Sequence, residues 1–436
     1  ADRVKKMLTL AFGSGTDFNL LDIRPLTAAF FPTLANLGLD KIKTMSKIAR
    51  YGNHEPTEIG GFYNIYVTYA QTALRHEFPK MIKQEDNDMQ LVALAALADI
   101  MPMQNENRIF VKRALKLINS KEIRPGLFEL MTRLNLLTKK VNSTDLSWQV
   151  ISNLNAAGRL GHPELAAELF ISKEAETRDE VAKKIIELNS ERKQLTLDAW
   201  SYAAIQAKTS IPVHNNKLCV VIDERINRGV CGILAGRLLA SYDLPAIVVT
   251  FVGQNAIGSM RSCRGLDATK FLDKMASVFL NHGGHTAAAG FSLERSRLEE
   301  FEQLLKDFSK EIELSESTSN TFEIDAEIPP SLLTPTLLNT EDRFEPFGEA
   351  NPPLSFMTKS LPITDAMVMD KGEKLHLKLT LDSGKYKWPA LFWSQGERLH
   401  RDFEVGDKID LIYHVERNTF RGNETPQLII SDIKKE

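Results

Sequence analysis

Residues 164–209 contain neither proline nor glycine and are dominated by Ala, Glu, Lys and Leu. Such a stretch reads as helix, with a break at Ser172–Thr177 where a second helix begins. Its heavy charge reads as a solvated spacer between domains rather than as a binding surface. The chain is therefore expected to fold as separate parts on either side of it. A length of 436 residues agrees with roughly two to four domains.

Around this spacer the pattern changes twice. Before it, Leu26–Gly38 has helical spacing with a Gly stop. Leu91–Ile100 is an apolar run ending beside Asp99; Pro102 disfavours helix through Met101, and Asn105–Ile118 resumes helical spacing. After it, Lys217–Ile222 reads as a buried strand, Val230–Ser241 as helix and Ala246–Phe251 as a second strand. Strand, helix and strand within about 35 residues make a βαβ unit, hence α/β architecture. Leu272–Leu280 reads as helix running into a Gly-rich turn, His282–His285, and Leu293–Ile312 as a charged amphipathic helix. Composition shifts near 313–335, which reads as a linker. From about residue 355 short alternating runs (375–381, 388–393, 408–415, 427–433) suggest a small barrel or sandwich.

Composition excludes several classes. With 43% hydrophobic and 25% charged residues and a net charge of −3, the chain is neither disordered nor a strongly basic coat for nucleic acid, although a local basic groove is still allowed. The three cysteines, Cys219, Cys231 and Cys263, match no disulfide framework or C-x-x-C metal site and read as reduced thiols of a cytoplasmic protein. No apolar run is long enough to cross a membrane.

Four motifs could carry chemistry. In Gly258-Ser259-Met260-Arg261-Ser262, at the end of a strand, backbone N–H groups, hydroxyls and a guanidinium suit a phosphate; a polar turn with a surface arginine fits the same letters. In His282-Gly283-Gly284-His285, paired glycines let backbone approach a ligand beside an imidazole, and the following Ala run reads as a tightly packed helix. Asn155-Ala156-Ala157-Gly158-Arg159 offers close approach and a cation, or a helix end capped by Gly158. Asp99, closing an apolar run, needs a metal or a cation such as Arg108 if it is buried.

Taken together, the motifs resemble the RecJ family of single-strand-specific exonucleases, in the DHH phosphoesterase superfamily. The resemblance rests on LADIMPMQNENR at 97–108, NAAGRLG at 155–161, Asn189–Lys193, GVCGILAGRL at 229–238, GSMRS at 258–262 and GGHTAAAGFSL at 283–293. In the last domain it rests on PFGEANPP at 346–353, LHLKL at 375–379 and FRGNETPQLIISDI at 420–433. It implies an α/β fold class: a DHH-type α/β domain (1–163), a connecting helix (164–210), a DHHA1 α/β domain (211–315) and an OB-like β-barrel (335–436). It also implies a 5′→3′ exonuclease on single-stranded DNA, using two Mn²⁺ or Mg²⁺ ions in repair and recombination. Residue by residue, Asp99 matches a metal ligand and His285 a contact at the reacting phosphodiester. Arg159, Ser259 and Arg261 match the holders of the 5′-phosphate, Asn155 orients their loop, and Gly283 and Gly284 lie against the DNA. A monomer is implied, with a single-strand-binding protein and a helicase as partners.

The sequence also departs from the family. Ile226-Asn227-Arg228 stands where Trp-His-Pro is common. No Asp-x-Asp followed by Gly and no Asp-His-His occurs; Asp17, Asp22 and His54 sit in no matching context. The expectation is either an incomplete chain, as the Ala1 start suggests, or a relative that binds DNA without cutting it. A small-nucleotide phosphoesterase of the same superfamily is the further alternative, disfavoured by the barrel.

Overall fold

A computed structural model describes residues 2–38, 41, 42, 55, 57–316, 321–371, 374–420 and 423–436. His54 and part of the 313–335 segment lie outside them. The chain divides into two compact units, 1–89 and 90–436.

The first unit holds the helices α1 (Asp2–Phe12), α2 (Arg24–Phe30) and α3 (Glu58–Glu77). The helix expected over Leu26–Gly38 stops early, because Pro32 follows Phe31 and opens a separate 3₁₀ turn, Pro32–Leu34. The Phe30 ring packs between Tyr69 and His76 at centroid distances of 6.1 and 5.7 Å. Asp17 pairs with Lys5 at 3.3 Å, and Asp22 accepts the Arg24 backbone N–H.

The second unit begins inside α4 (Lys80–Ala98) and continues through α5 (Asn105–Asn119) and α6 (Leu127–Arg133). A helical turn, Ser143–Asp145, then feeds a π-helical turn, Leu146–Ile151, and α7 (Ser152–Arg159). These helices close over one apolar core containing Val111, Leu127, Leu130, Leu146 and Val150. Next come α8 (Pro163–Ile171) and, after the expected break, α9 (Ala175–Val213). At 39 residues, α9 is about 58 Å long. It is not a solvated spacer: Val181, Ala182 and Ile185 belong to the helical core, while Ala199, Ala203 and Ala207 pack under the sheet that follows. Its outer face is charged, and its buried stripe mixes alanines with Val181, Ile185, Leu188, Asn189 and Thr196, so composition alone hides the burial.

That sheet has the order β1-β2-β3-β5-β4, from β1 (Cys219–Ile222), β2 (Ala246–Val252), β3 (Asn255–Arg261), β4 (Asn281–His285) and β5 (Ala288–Glu294). β1 and β2 are parallel through α10 (Cys231–Tyr242), as the βαβ pattern requires; the remaining pairings are antiparallel. Gly258–Arg261 forms the C-terminal part of β3, so the polar-turn alternative does not hold. Two further expectations fail here. The Gly-Gly-His segment and the Ala run form a β-hairpin, with no helix after it, and the helix expected over 272–280 is α11 (Ala268–Asp273) plus a 3₁₀ turn. Small residues without β-branching read as helix on propensity; pairing with β3 overrides that preference. α12 (Leu298–Ser309) covers the sheet with Phe301 and Leu305. Before residue 214 the described elements are all helical.

The last part is a closed five-stranded barrel, β7-β8-β9-β11-β10 with β10 returning to β7, and a short β6 (Ala326–Glu327) added to β7. Its strands are β7 (Phe356–Lys371), β8 (Lys374–Asp382), β9 (Lys387–Phe392), β10 (Lys408–Phe420) and β11 (Asn423–Lys435). Part of the expected linker belongs to it: Leu333 is fully buried in the barrel core, and its carbonyl accepts the Trp388 indole N–H at 3.1 Å. The helix α13 (Leu337–Phe344) precedes the barrel.

Candidate nucleic-acid interface

Three elements of the second unit meet at the C-terminal end of α7. The chain there needs a close backbone approach, and Gly229 provides it. A Cβ at Gly229 would lie 2.1 Å from the carbonyl oxygen of Arg159, so only glycine lets the start of the five-stranded sheet region seat against α7. Asn227 accepts the Gly229 N–H at 2.8 Å and caps the 3₁₀ turn that leads into α10. The departure Ile226-Asn227-Arg228 thus builds a local turn, with Ile226 buried beneath it.

The same junction gathers arginines. The Arg261 guanidinium lies against Gly232 at the start of α10: a Cβ there would sit 2.9 Å from Nη2 and 3.7 Å from Ser259 Oγ. Arg261 donates to the Met260 carbonyl at 3.0 Å. Arg192, from the middle of α9, is held by its Nε–H donating to Asn189 Oδ1 at 3.0 Å, and Asn189 is itself buried. Burial, then the neighbouring Arg159 charge, pulls both Arg261 and Arg192 below the usual arginine range. Among the described residues none of the three arginines has a carboxylate partner. Like charges brought together without counter-charge mark an anion site, because the anion completes the electrostatics.

Asn155, Arg159 and Arg192 open into a cavity of about 480 Å³. Ile233 of α10 and Gly348–Glu349, just before the barrel, also line it. Segment 342–351 clasps the helical core. Arg108 donates to the carbonyls of Phe344, Glu345 and Pro346, Met103 N–H donates to the Glu349 carbonyl at 2.6 Å, and Ser143 Oγ–H to that of Phe347. Asp342 is shared between Lys140 at 2.9 Å and Arg417 of β10 at 2.6 Å.

The expected site residues separate into groups. Asn155 and Arg159 share the cavity, with Ser259 and Arg261 behind it at the start of α10. His285, Gly283 and Gly284 stand exposed on β4, the edge strand. Asp99 is exposed at the end of α4 and is not paired with Arg108, which is engaged by the 344–346 carbonyls. The capping role weighed for Gly158 falls to Gly161, at φ +89° two residues past the helix end. Among the described residues no group of three His, Cys, Asp or Glu side chains could hold a metal ion. Arg192 was visible only as part of a motif; its direction into the site depends on the register of α9. In the barrel, Trp388, Phe392 and Tyr413 are core, Trp393 is exposed, and the Phe420 side chain lies outside the described residues. A second cavity of about 470 Å³ on the barrel is lined by Trp393 together with Lys378 and Lys387.

The fold and site define a protein with a DHHA1 domain and an OB-type barrel. The DHHA1 domain family model matches residues 215–313 and the RecJ OB domain model residues 324–432. The single-stranded-DNA-specific exonuclease RecJ of Bacillus subtilis is 25% identical over 80% of this chain and 44% of its own length. That of Haemophilus influenzae is 27% identical over 79% of this chain and 61% of its own. The crystal structure of RecJ in complex with Mn²⁺ from Thermus thermophilus superposes with a TM-score of 0.65 at 23% identity, over 80% of this chain and 49% of that one. The chain carries the DHHA1 and RecJ OB domains, is similar to RecJ exonucleases over about four-fifths of its length, and spans about half of the length of these relatives.

Proposed function

We propose that the three-arginine junction holds the 5′-terminal phosphate of single-stranded DNA, and that the protein acts as a RecJ-type 5′→3′ single-strand exonuclease in repair and recombination. The observation that carries this reading is the convergence of Arg159, Arg192 and Arg261 beside Ser259 and the first turn of α10, with no carboxylate among the described residues at ion-pair distance from them, although Glu349 lines the same cavity. A helix start, a hydroxyl and guanidiniums are the donor set a phosphate monoester takes. The barrel cavity, with Trp393 beside Lys378 and Lys387, supports a path for the strand, since stacking surfaces and backbone cations are what single strands use. The exposed Gly-Gly-His edge, with His285, faces solvent where a phosphodiester could lie.

Mn²⁺ or Mg²⁺ is the cofactor expected of this family, with Asp99 as one ligand. The described residues do not by themselves fit a two-metal centre: Asp99 stands alone and exposed.

The test is equilibrium binding of 5′-phosphorylated and 5′-hydroxyl strands in chelator. Arg261→Ala removes a charge-assisted contact worth about 1.5–3 kcal/mol. Affinity for the phosphorylated strand should fall about ten-fold or more, with little change for the hydroxyl strand. Equal losses for both ends overturn the phosphate assignment. Single-strand degradation with Mn²⁺ or Mg²⁺ tests the exonuclease step; binding with no degradation supports a binding protein of the same lineage.

A further inference from the structure

Trp148 is 77% exposed, although an indole carries about 150–250 Å² of surface that water disfavours. It sits within the π-helical turn Leu146–Ile151, and π turns recur at functional sites. The turn is firmly anchored. Asn142 accepts the Asp145 N–H at 2.8 Å, Lys139 pairs with Asp145 at 2.6 Å, and Gln149 donates to the same carboxylate at 3.1 Å. Ser152 Oγ–H donates to the Trp148 carbonyl at 2.6 Å.

Trp148, Ser152, Asn155 and Arg159 recur at intervals of four, three and four along one helical run, which puts them on a single face. All four line the 480 Å³ cavity. Its end near Trp148 is apolar, with Ile100 and Met101 also exposed; its other end carries Arg159 and Arg192. A site with a flat apolar wall and a cationic end is complementary to a ligand joining an aromatic ring to a phosphate, which is a nucleotide unit. Eleven residues at 1.5 Å each put the indole roughly 16 Å along the helix axis from Arg159. A stacked strand advances about 3.4 Å per nucleotide, so the ring meets a base within the first few nucleotides of the end.

We propose that Trp148 is a stacking platform for a base near the 5′ end of a single strand whose terminal phosphate is held by Arg159, Arg192 and Arg261. The proposal rests on the phosphate reading of that junction and adds a base-dependent contact to it.

The test uses the full chain in chelator, with 5′-phosphorylated 12-nucleotide single strands, intact or abasic at nucleotides 2–6. Stacking on an aromatic ring is worth enough that Trp148→Ala should weaken the intact strand about ten-fold. Trp148→Phe should restore most of that loss. The abasic strand should bind wild type as weakly as the intact strand binds Trp148→Ala, and should lose nothing further in that variant. The melting temperature and the preference for a 5′-phosphate should stay as in wild type. An unchanged affinity in Trp148→Ala, with the 5′-phosphate preference and its loss in Arg261→Ala intact, overturns stacking and leaves the phosphate reading standing. An equal loss for intact and abasic strands, or a melting temperature lowered by several degrees, overturns it in favour of a protein contact at this face. Failure of Arg261→Ala to alter phosphate preference sinks the phosphate reading independently.

Discussion

Ile100 is the residue at which local preference and structure disagree most sharply. It holds φ +53°, with its neighbour Met101 N–H donating back to the Ala96 carbonyl at 2.9 Å, so it terminates α4 in the left-handed region that suits glycine. A β-branched residue there costs roughly 1–2 kcal/mol, and its side chain, 68% exposed, recovers little by burial. Ile100→Gly should therefore raise stability by about 1 kcal/mol, read as a shift in the urea midpoint. Strain of this kind persists where the surroundings demand it, and the strained turn presents Asp99 to solvent beside the cavity. Because Asp99 is exposed and pairs with no base among the described residues, Asp99→Ala should change stability by no more than about 0.5 kcal/mol and leave single-strand binding intact. A loss of several kcal/mol in thermal or urea unfolding would mean that a buried ion pair had been broken.

At the scale of elements, the seating of α7 against the DHHA1 sheet depends on Gly229. A methyl group at 2.1 Å from the Arg159 carbonyl cannot be accommodated without separating the two. Gly229→Ala should cost about 1–3 kcal/mol and should also reduce 5′-phosphate preference, since Arg159 moves with the helix end. A second element-level case is α13. Glu341 is 3% exposed, and among the described residues no well-aligned hydrogen bond reaches its carboxylate oxygens, the Leu354 N–H being a weak neighbour only. Burial, opposed only by the Leu354 N–H, together with the carboxylates of Glu345, Asp325 and Asp342, pushes its acid from 4.5 up to about 7. A carboxyl raised in the folded state binds its proton more tightly there than in the unfolded chain. Stability from this group is therefore greatest below about 4.5 and falls as pH rises to about 7. Glu341→Gln should remove that slope and stabilise the protein at pH 8 by on the order of 3 kcal/mol, measured as urea midpoints from about pH 5 to pH 8.

At the scale of the molecule, the barrel and its approach segment act together. A fragment starting at residue 340 loses Leu333 from the core, the Trp388 indole contact and the β6 pairing. A fragment of residues 324–436 keeps all three and should fold cooperatively, whereas 340–436 should show a lower melting temperature by circular dichroism. The Arg417–Asp342–Lys140 chain and the Arg108 contacts to 344–346 then tie the barrel to the helical core. These contacts give the string PFGEANPP a mechanical role, that of a clasp, which no residue type in it announces.

What could be read from the letters follows from periodicity. The βαβ unit, the barrel strands and the break before α9 were legible because each repeats apolar residues at its own period or changes composition abruptly. Arg159, Ser259 and Arg261, the proposed phosphate contacts, stand out as ordered motifs along the chain. What was not legible depends on contacts between residues far apart in sequence. The Gly-Gly-His segment reads as a turn until β5 pairs with it, and α9 reads as solvated until two cores close on its alanines. Arg192 and Trp148 take their meaning from register: a helix rotated by one residue would turn the guanidinium and the indole away by about 100°. Only the packing of α7, α9 and α10 against one another decides that Arg159, Arg192 and the exposed Trp148 ring share a single cavity.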